Sequence, residues 1–278
     1  MDAYFVIGNP IAHSKSPQIH ARFAALTGQV LRYERLLVDL GEFPTRVRAL
    51  MAEGVKGCNI TVPFKLEAFA LAQMRSDRVT LAGAANTLSF RDGQIHADNT
   101  DGVGLVRDIE VNAGRRLLGS RVLLLGAGGA AAGALGPLLM AGPAQLVVSN
   151  RTLSRAEDLV GRHRSHPSLS RALADTELLA LPLNDELPAF DVVINATAGS
   201  LAGAAIPITK QALRPGALVY DMMYGPAAET FLQWATASGA GTRDGLGMLV
   251  EQAAESFSIW RGVRPPTAEV LAQLRQTG

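Results

Sequence analysis

Lys65 and Asp101 are the residues of this chain best suited to acid and base chemistry. Lys65 follows a predicted strand over 57–61 and Pro63, which ends that strand, so we expect it at the edge where open α/β sheets bind ligands. Asp101 lies in the polar run 98–102 and could instead cap a helix over 103–113. Taken alone, a lysine such as Lys65 is more often a solvated surface residue, so the pair needs support from its neighbours.

That support comes from polar side chains beside other predicted strands. Strand alternation places Asn59 and Thr61 on one face, and Asn86 begins the next strand, over 86–90. With Lys65, Asp101 and the adjoining Thr87 and Thr100, these side chains supply an amine, a carboxylate, two amides and several hydroxyls. Such a set favours a small polyhydroxy acid over an apolar ligand.

Two serines could bind the acid group of such a ligand. Ser16 and Pro17 predict a helix start with serine as the cap and proline at the first helical position. Backbone amides at a helix start favour an anion, and the hydroxyls of Ser14 and Ser16 would add donors. An ordinary capped turn between strand and helix is the alternative.

A glycine-rich turn follows a predicted strand over 122–125 and opens a helix, which is the context of a dinucleotide-binding fingerprint. Its residues are Gly126, Ala127, Gly128, Gly129, Ala130 and Ala131. The first glycine permits the tight turn, the second lets a pyrophosphate approach the backbone, and the final alanine permits close packing. A packing turn without a ligand is the alternative.

The segment about twenty residues further on bears on the choice of cofactor. An acidic residue would be expected there for NAD, but the chain has Asn150, Arg151 and Thr152, with Arg155 one helical turn later. Two guanidiniums can bind a ribose 2′-phosphate, whereas a carboxylate would repel it. We therefore expect NADP(H), with a solvated basic helix start as the alternative.

Strand and helix patterns alternate along the chain, which predicts an α/β fold with parallel sheets. Strands are predicted over 4–7, 31–37, 57–61, 86–90, 122–125, 146–149, 192–195 and 218–220, and a hairpin turn over 91–94 should add an antiparallel edge to the first sheet. We expect two domains, with residues 1–102 joined by C-terminal helices over 246–260 and 267–274, and a Rossmann-type unit over 103–245.

Composition narrows the class of partner. The 278 residues include 26 basic and 25 acidic side chains with no long block of one sign, so a small-molecule partner is expected rather than nucleic acid. A single cysteine and the lack of a signal-peptide pattern favour the cytoplasm. The uncharged stretch between Arg121 and Arg151 is interrupted by glycines and prolines, which argues against a membrane span. No cluster has metal-ligand spacing, so we expect no metal.

The motifs together resemble the shikimate dehydrogenase family over nearly the whole chain. The matching strings are the run with Ser14 and Ser16, 59–65, 86–87 with Gly83, 99–102, the glycine loop, 150–152, 195–197, 220–226 and 247–252. The resemblance implies an N-terminal mainly parallel substrate domain, a Rossmann-type NADP-binding domain, and C-terminal helices that return to the first. It also implies reversible NADPH-dependent reduction of 3-dehydroshikimate to shikimate, on the way to chorismate and the aromatic amino acids.

The resemblance also assigns roles by position. Lys65 and Asp101 would be the catalytic pair, and both would also contact substrate together with Ser14, Ser16, Asn59, Thr61, Asn86, Tyr224 and Gln252. The cofactor residues would be Gly126, Ala127, Gly128, Gly129, Ala130, Asn150, Arg151, Thr152 and Arg155, with Thr197, Met222, Gly245 and Met248 near the nicotinamide.

Two positions depart from the family pattern, Ala132 in the glycine-rich helix and Ala198 where relatives usually have serine. They bear on cofactor affinity and loop geometry rather than on the reaction. The competing functions are a quinate/shikimate dehydrogenase-like paralogue and a non-catalytic NADP-binding regulator. The chain could be a monomer or a homodimer, because the sequence does not distinguish an exposed face from an interface.

Overall fold

The chain divides into two compact units in a computed structural model that describes residues 1–184, 186–197 and 208–277. Unit 1 comprises Met1–Gly104 and Val250–Gly278, and unit 2 comprises Leu105–Leu249. Both units are built on a six-stranded sheet with helices beside it. The predicted α/β fold class is confirmed.

Unit 1 contains the first six strands and the first four helices. Their bounds are β1 (Asp2–Gly8), α1 (Ser16–Thr27), β2 (Leu31–Leu37), α2 (Phe43–Ala52), β3 (Gly57–Ile60), α3 (Lys65–Leu71), β4 (Met74–Arg75), α4 (Asp77–Ala82), β5 (Thr87–Arg91) and β6 (Gln94–Asp98). The strand order is β2-β1-β3-β5-β6-β4, and β5 alone runs against the others.

The predicted hairpin forms, but the expectation that it makes the sheet edge is wrong. Its turn is Asp92–Gly93, and both residues have positive φ, as a tight two-residue hairpin requires. The edge is instead β4, which pairs with β6 in parallel. A two-residue strand has too little pattern to be recognised in the sequence.

The two faces of β1 pack into different parts of the core, as strand alternation requires. Phe5 and Ile7 join a cluster that includes the stacked rings of Phe43 and Phe64, whose centroids are 4.9 Å apart. Tyr4 and Val6 face the opposite side, with Ile11 and Tyr33. Tyr33 of this second layer donates its hydroxyl to Asn59 Oδ1 at 2.7 Å.

Unit 2 is a doubly wound parallel sheet. Its elements are β7 (Arg121–Leu125), α6 (Gly129–Met140), β8 (Gln145–Asn150), α7 (Leu153–Arg164), α8 (Ser170–Asp175), β9 (Glu177–Pro182), β10 (Phe190–Asn195), β11 (Leu213–Asp221), α9 (Pro226–Ala237) and β12 (Gly241–Arg243). The order β9-β8-β7-β10-β11-β12 is the 3-2-1-4-5-6 order of a Rossmann fold.

Three further helices belong to the described chain. They are α5 (Asp101–Arg107), which continues as a π-helical turn over Asp108–Asn112, α10 (Leu246–Arg261) and α11 (Ala268–Thr277). Most of α10 belongs to unit 1, where Trp260 stacks on Tyr4 at 4.7 Å. The C-terminal helices therefore return to the first unit, as expected.

The uncharged stretch between Arg121 and Arg151 forms β7, α6 and β8 rather than one long helix. Within the described ranges, no helix is both long enough and apolar enough to cross a membrane. The same ranges contain no group of three or more His, Cys, Asp or Glu side chains that could hold a metal ion.

Candidate active site

The polar segments of unit 1 meet at one edge of its sheet. Strands β1, β3 and β6 are parallel members of that sheet and end there, at Gly8, Ile60 and Asp98, while the reversed β5 begins there at Thr87. Each predicted segment follows one of these ends or precedes the start of β5. The convergence follows from strand direction, because the carboxyl ends of parallel strands share an edge.

Lys65 and Asp101 form a hydrogen-bonded ion pair at this edge. Lys65 Nζ lies 2.6 Å from Asp101 Oδ2, and the two side chains are 31% and 17% exposed. Lys65 begins α3, and Asp101 begins α5, so the predicted start of that helix at residue 103 is wrong by two residues. The Asp101 N–H donates to Asn99 Oδ1 at 3.1 Å, so Asn99 fills the capping role that was the alternative for Asp101.

Asn86 fixes the other oxygen of Asp101. Its Nδ2 donates to Asp101 Oδ1 at 2.8 Å and lies 3.4 Å from Gln252 Oε1. The orientation of this amide is unambiguous, because its Oδ1 accepts the Thr100 backbone N–H at 2.9 Å, and a backbone N–H can only donate. Asp101 is therefore held between an amide donor and an ammonium.

Asn59 is more deeply enclosed than its predicted role suggests. It is 6% exposed, and its Nδ2 contacts the Asn86 carbonyl, Thr87 Oγ1 and Ser256 Oγ at 3.2, 3.2 and 3.0 Å. Its Oδ1 accepts the Tyr33 hydroxyl at 2.7 Å. Because both N–H groups are engaged, a ligand hydroxyl can use only the remaining acceptor capacity of Oδ1.

Thr61 and Ser16 differ in detail from the predictions. Strand β3 ends at Ile60, so Thr61 is the first residue of the following turn and is partly buried there. Helix α1 begins at Ser16 with Lys15 in the cap position, so the predicted Ser16 cap is wrong. Ser14 supplies the local contact instead, since its Oγ accepts the Ser16 N–H at 3.3 Å. The hydroxyl proton of Ser14 is thus left free to donate to an anion.

The glycine loop of unit 2 has the backbone geometry of a phosphate-binding turn. Gly126 has φ +103°, and a Cβ there would lie 3.1 Å from the Ala196 carbonyl oxygen. A Cβ at Gly128 or Gly129 would meet nothing within 4 Å, so open space lies beside the start of α6. Ala131 is fully buried, and Ala132 is 4% exposed in the same helix. Ala127 and Ala130 complete the loop.

The predicted 2′-phosphate residues lie at the end of β8. Arg151 and Arg155 are exposed, and neither guanidinium has a hydrogen bond or ion pair among the described residues. Thr152 caps α7 without using its side chain, while the Asn150 amide donates to the Thr152 carbonyl at 2.8 Å. Two cations without a described internal partner, beside a glycine turn, suit an anionic ligand.

The residues expected near a nicotinamide lie in two tightly built segments of unit 2. Asn195 Oδ1 accepts both the N–H and the hydroxyl of Thr197, at 3.1 and 2.7 Å, and Asn195 donates to the buried carboxylate of Asp221. Met222 follows Asp221. Gly245 packs so closely against the Met222 backbone that a Cβ on Gly245 would collide with the Met222 carbonyl. Met248 is 8% exposed.

Tyr224 follows in the same unit, and partial burial raises the pKa of its phenol. The departure at Ala198 and the neighbouring Gly199, Ser200 and Leu201 lie outside the described residues. Nothing in the structure bears on that departure.

Sequence reasoning missed the fully buried hydroxyl of Ser256 behind the site. Thr100 and Thr87 adjoin predicted residues, and Ser256 follows Gln252 by four positions in α10, which places both on one helix face. That spacing was a usable signal. Tyr33 gave no comparable signal, because a buried tyrosine in a strand is typical of core packing.

A 3-2-1-4-5-6 sheet with a glycine turn, joined in one chain to a separate α/β unit with a lysine–aspartate pair, defines a two-domain protein of the Rossmann class. Three family models match the chain: the shikimate dehydrogenase substrate binding domain over residues 6–88, shikimate / quinate 5-dehydrogenase over 109–213, and the shikimate 5'-dehydrogenase C-terminal domain over 245–275. The chain belongs to the shikimate dehydrogenase family.

Individual relatives match over almost their full length. Shikimate dehydrogenase (NADP(+)) of Acidovorax sp. (strain JS42) is 63% identical over 274 residues, which is 99% of this chain and 96% of the relative. The crystal structure of an Ael1 enzyme from Pseudomonas putida is 47% identical, with a TM-score of 0.90 and coverage of 99% and 98%. Shikimate 5-dehydrogenase from Thermus thermophilus, in complex with NADP(H) and shikimate, is 28% identical, with a TM-score of 0.84 and full coverage of both chains.

Proposed function

We propose that this protein catalyses the reversible NADPH-dependent reduction of 3-dehydroshikimate to shikimate in the shikimate pathway. The observation that carries the proposal is the 2.6 Å pair of Lys65 and Asp101, with Asp101 held in turn by Asn86. The names of the relatives at 63% and 28% identity support the same substrate and cofactor. Residues 1–102 with 246–278 would bind the substrate, and 103–245 would bind NADP.

The substrate carboxylate would lie at the start of α1. The hydroxyl of Ser14 has a proton to donate, and Ser16 is next to it at the positive end of the helix. The ring hydroxyls would meet Asn59 Oδ1, Thr61, Asn86, Asp101 and Gln252. Tyr224 would contribute at the carboxylate end.

The residues of unit 2 fit NADP. Gly126 to Ala130 offer an open backbone turn for the pyrophosphate, and Arg151 and Arg155 offer guanidiniums with no described internal partner. Asn150 and Thr152 border the same position, and Thr197, Met222, Gly245 and Met248 would line the nicotinamide. When bound, NADPH supplies the hydride for the carbonyl carbon.

Lys65 would stabilise the negative charge that develops on the carbonyl oxygen. Two of its three N–H donors have no partner among the described residues, so they can point at that oxygen. Asp101 orients the ammonium through Oδ2, and each of its oxygens keeps acceptor capacity for a neighbouring substrate hydroxyl. The proton gained by the product oxygen would come from this pair.

Replacement of the lysine tests this assignment. Lys65→Ala should reduce turnover of shikimate with NADP⁺ by about 10²–10⁴-fold, because a positioned proton donor is lost. Lys56→Ala is the matched control, since Lys56 is an exposed lysine of the same unit whose side chain makes no described contact. Turnover is followed by NADPH absorbance, and binding of NADP⁺ is measured separately. Near-normal turnover in folded Lys65→Ala would refute the catalytic role.

Quinate is a second candidate substrate, because the model matched over residues 109–213 is described as shikimate / quinate 5-dehydrogenase. Parallel assays of shikimate and quinate with each cofactor distinguish the two. A folded protein that binds NADP⁺ but oxidises neither acid would instead be the non-catalytic regulator.

A cytoplasmic location and a monomeric or homodimeric state remain predictions. Cell fractionation measures the first, and light scattering of the purified protein measures the second.

A further inference from the structure

The hydroxyl of Ser256 lies at the centre of the polar layer behind the proposed substrate site. Ser256 is fully buried, and its Oγ lies 2.8 Å from Thr87 Oγ1, 3.1 Å from Thr100 Oγ1 and 3.0 Å from Asn59 Nδ2. Its single proton is shared between Thr87 Oγ1 and the Gln252 carbonyl, which lies at 3.1 Å, because Thr87 directs its own proton at Asn86 Oδ1. One oxygen thus contacts groups from three separate segments of unit 1.

The count of protons shows which groups depend on this oxygen. Asn59 has two N–H donors, one of which is directed at the Asn86 carbonyl, so the second must be shared between Thr87 and Ser256. Thr87 already directs its proton at Asn86 Oδ1 at 2.9 Å. Thr87 Oγ1 at 3.2 Å can still accept, so Ser256 Oγ at 3.0 Å is the nearer of the two acceptors for the second Asn59 N–H.

Thr100 depends on Ser256 in the same way. Its Oγ1 accepts an N–H from Asn86 at 2.9 Å, so its own proton must go elsewhere. The alternatives to Ser256 are Asn86 Oδ1 at 3.2 Å, which already accepts other donors, and Gln252 Oε1 at 3.4 Å. The first alternative would displace Asn86, which donates to Asp101, and the second would displace Gln252, which lies against Asn86.

We propose that Ser256 is a positioning residue for the reaction, which acts through Thr100 and Asn86 on Asp101 and directly on Asn59. This inference rests on the proposed function, because it assigns the residues that Ser256 positions to the substrate and the catalytic pair. Ser256 itself has no exposed surface, so it acts through the neighbouring side chains.

Loss of the hydroxyl should therefore alter catalysis more than folding. Ser256→Ala keeps the Cβ and removes the acceptor, which leaves one Asn59 N–H and the Thr100 hydroxyl to find weaker partners. We expect kcat/KM for shikimate to fall about tenfold or more, because a small displacement of the groups that hold the substrate and Asp101 weakens transition-state binding. The KM for shikimate should rise and the pH profile of kcat should shift, while the KM for NADP⁺ stays unchanged.

Ser258→Ala is the matched control. Ser258 lies in the same helix two positions later, is partly exposed, and makes no described side-chain hydrogen bond. It should behave as wild type in every assay. Ser256→Cys is the conservative second variant, because its sulfur is a weak acceptor and should restore part of the lost kcat/KM.

The experiment compares wild type, the two Ser256 variants and Ser258→Ala by steady-state kinetics in both substrates, with thermal unfolding and active-site titration of each. A Ser256→Ala enzyme with wild-type KM for shikimate and pH profile would overturn the inference. A loss explained wholly by a smaller active fraction would also overturn it, since that is a structural effect. If Ser256→Ala fails to fold, Ser256→Cys decides by the same KM and pH criteria. A wild type that does not oxidise shikimate would refute the proposed function, and this inference with it.

Discussion

His20 should make the folded protein sensitive to mild acid. Its ring is 1% exposed and stacks on Tyr33 at 4.1 Å, with Phe23, Phe257 and Trp260 around it. Neither ring nitrogen has a hydrogen-bond partner among the described residues. Burial lowers the pKa of His20 to about 3, although the Asn59 amide acts in the opposite direction.

The size of the effect follows from this pKa. Between pH 6.5 and about 3 the unfolded chain binds a proton at His20 that the folded chain does not, so stability falls as the pH falls through that window. At pH 5 the loss is about 2 kcal/mol, since the unfolded pKa is 1.5 units above that pH and each unit is about 1.4 kcal/mol. Above pH 7 the loss disappears.

His20→Phe isolates this contribution. Phenylalanine keeps a ring in the aromatic cluster and cannot bind a proton, so the variant should lose about 2 kcal/mol less than wild type between about pH 7.5 and pH 5. The measurement is urea unfolding of both proteins at the two pH values, followed by tryptophan fluorescence, because Trp260 lies in the same cluster. His163, whose pKa is lowered to about 4 by burial, is common to both proteins and cancels. Equal acid sensitivity of the two proteins would refute the reasoning.

Three further outcomes test unit 2. Arg151→Ala should raise the KM for NADPH about tenfold or more and leave the KM for NADH unaffected, because a charge-assisted phosphate contact is lost. Arg162→Ala is the control, since Arg162 is an exposed arginine in the helix α7 that follows Arg151, and an equal loss with both cofactors would contradict the assignment. Gly126→Ala should weaken NADP⁺ binding in calorimetry, since φ +103° disfavours any side chain, and unchanged binding would exclude a tight turn there. Asp108→Asn should destabilise the fold by about 3 kcal/mol or more, because the Arg243 guanidinium would lose a fully buried partner at 2.6 Å; an unchanged thermal midpoint would show that the pair contributes little.

The sequence alone determined the local features of this protein. Each of these features depends on residues that are close together in the sequence. Strand alternation, turn residues and the glycine-rich string therefore predicted the parallel sheets, the Asp92–Gly93 hairpin and the turn at Gly126. Lys65 and Asp101 were recognisable because each adjoins a strand or helix end. The two residues lie close together because the strands before them run in the same direction. The alternation of strands and helices in the sequence also predicts that direction.

Only the tertiary structure decided which groups complete that site. Ser256 contacts Asn59, from which it is separated by 197 positions in the sequence. Tyr220 donates to the buried carboxylate of Asp108, from which it is separated by 112 positions. No local pattern encodes such pairs, because a buried hydroxyl or carboxylate takes its partner from whichever element packs over it. The edge strand β4 escaped prediction because two residues carry too little pattern, and the cap of α1 at Lys15 escaped it because Lys15 makes no side-chain capping bond that its residue type could signal.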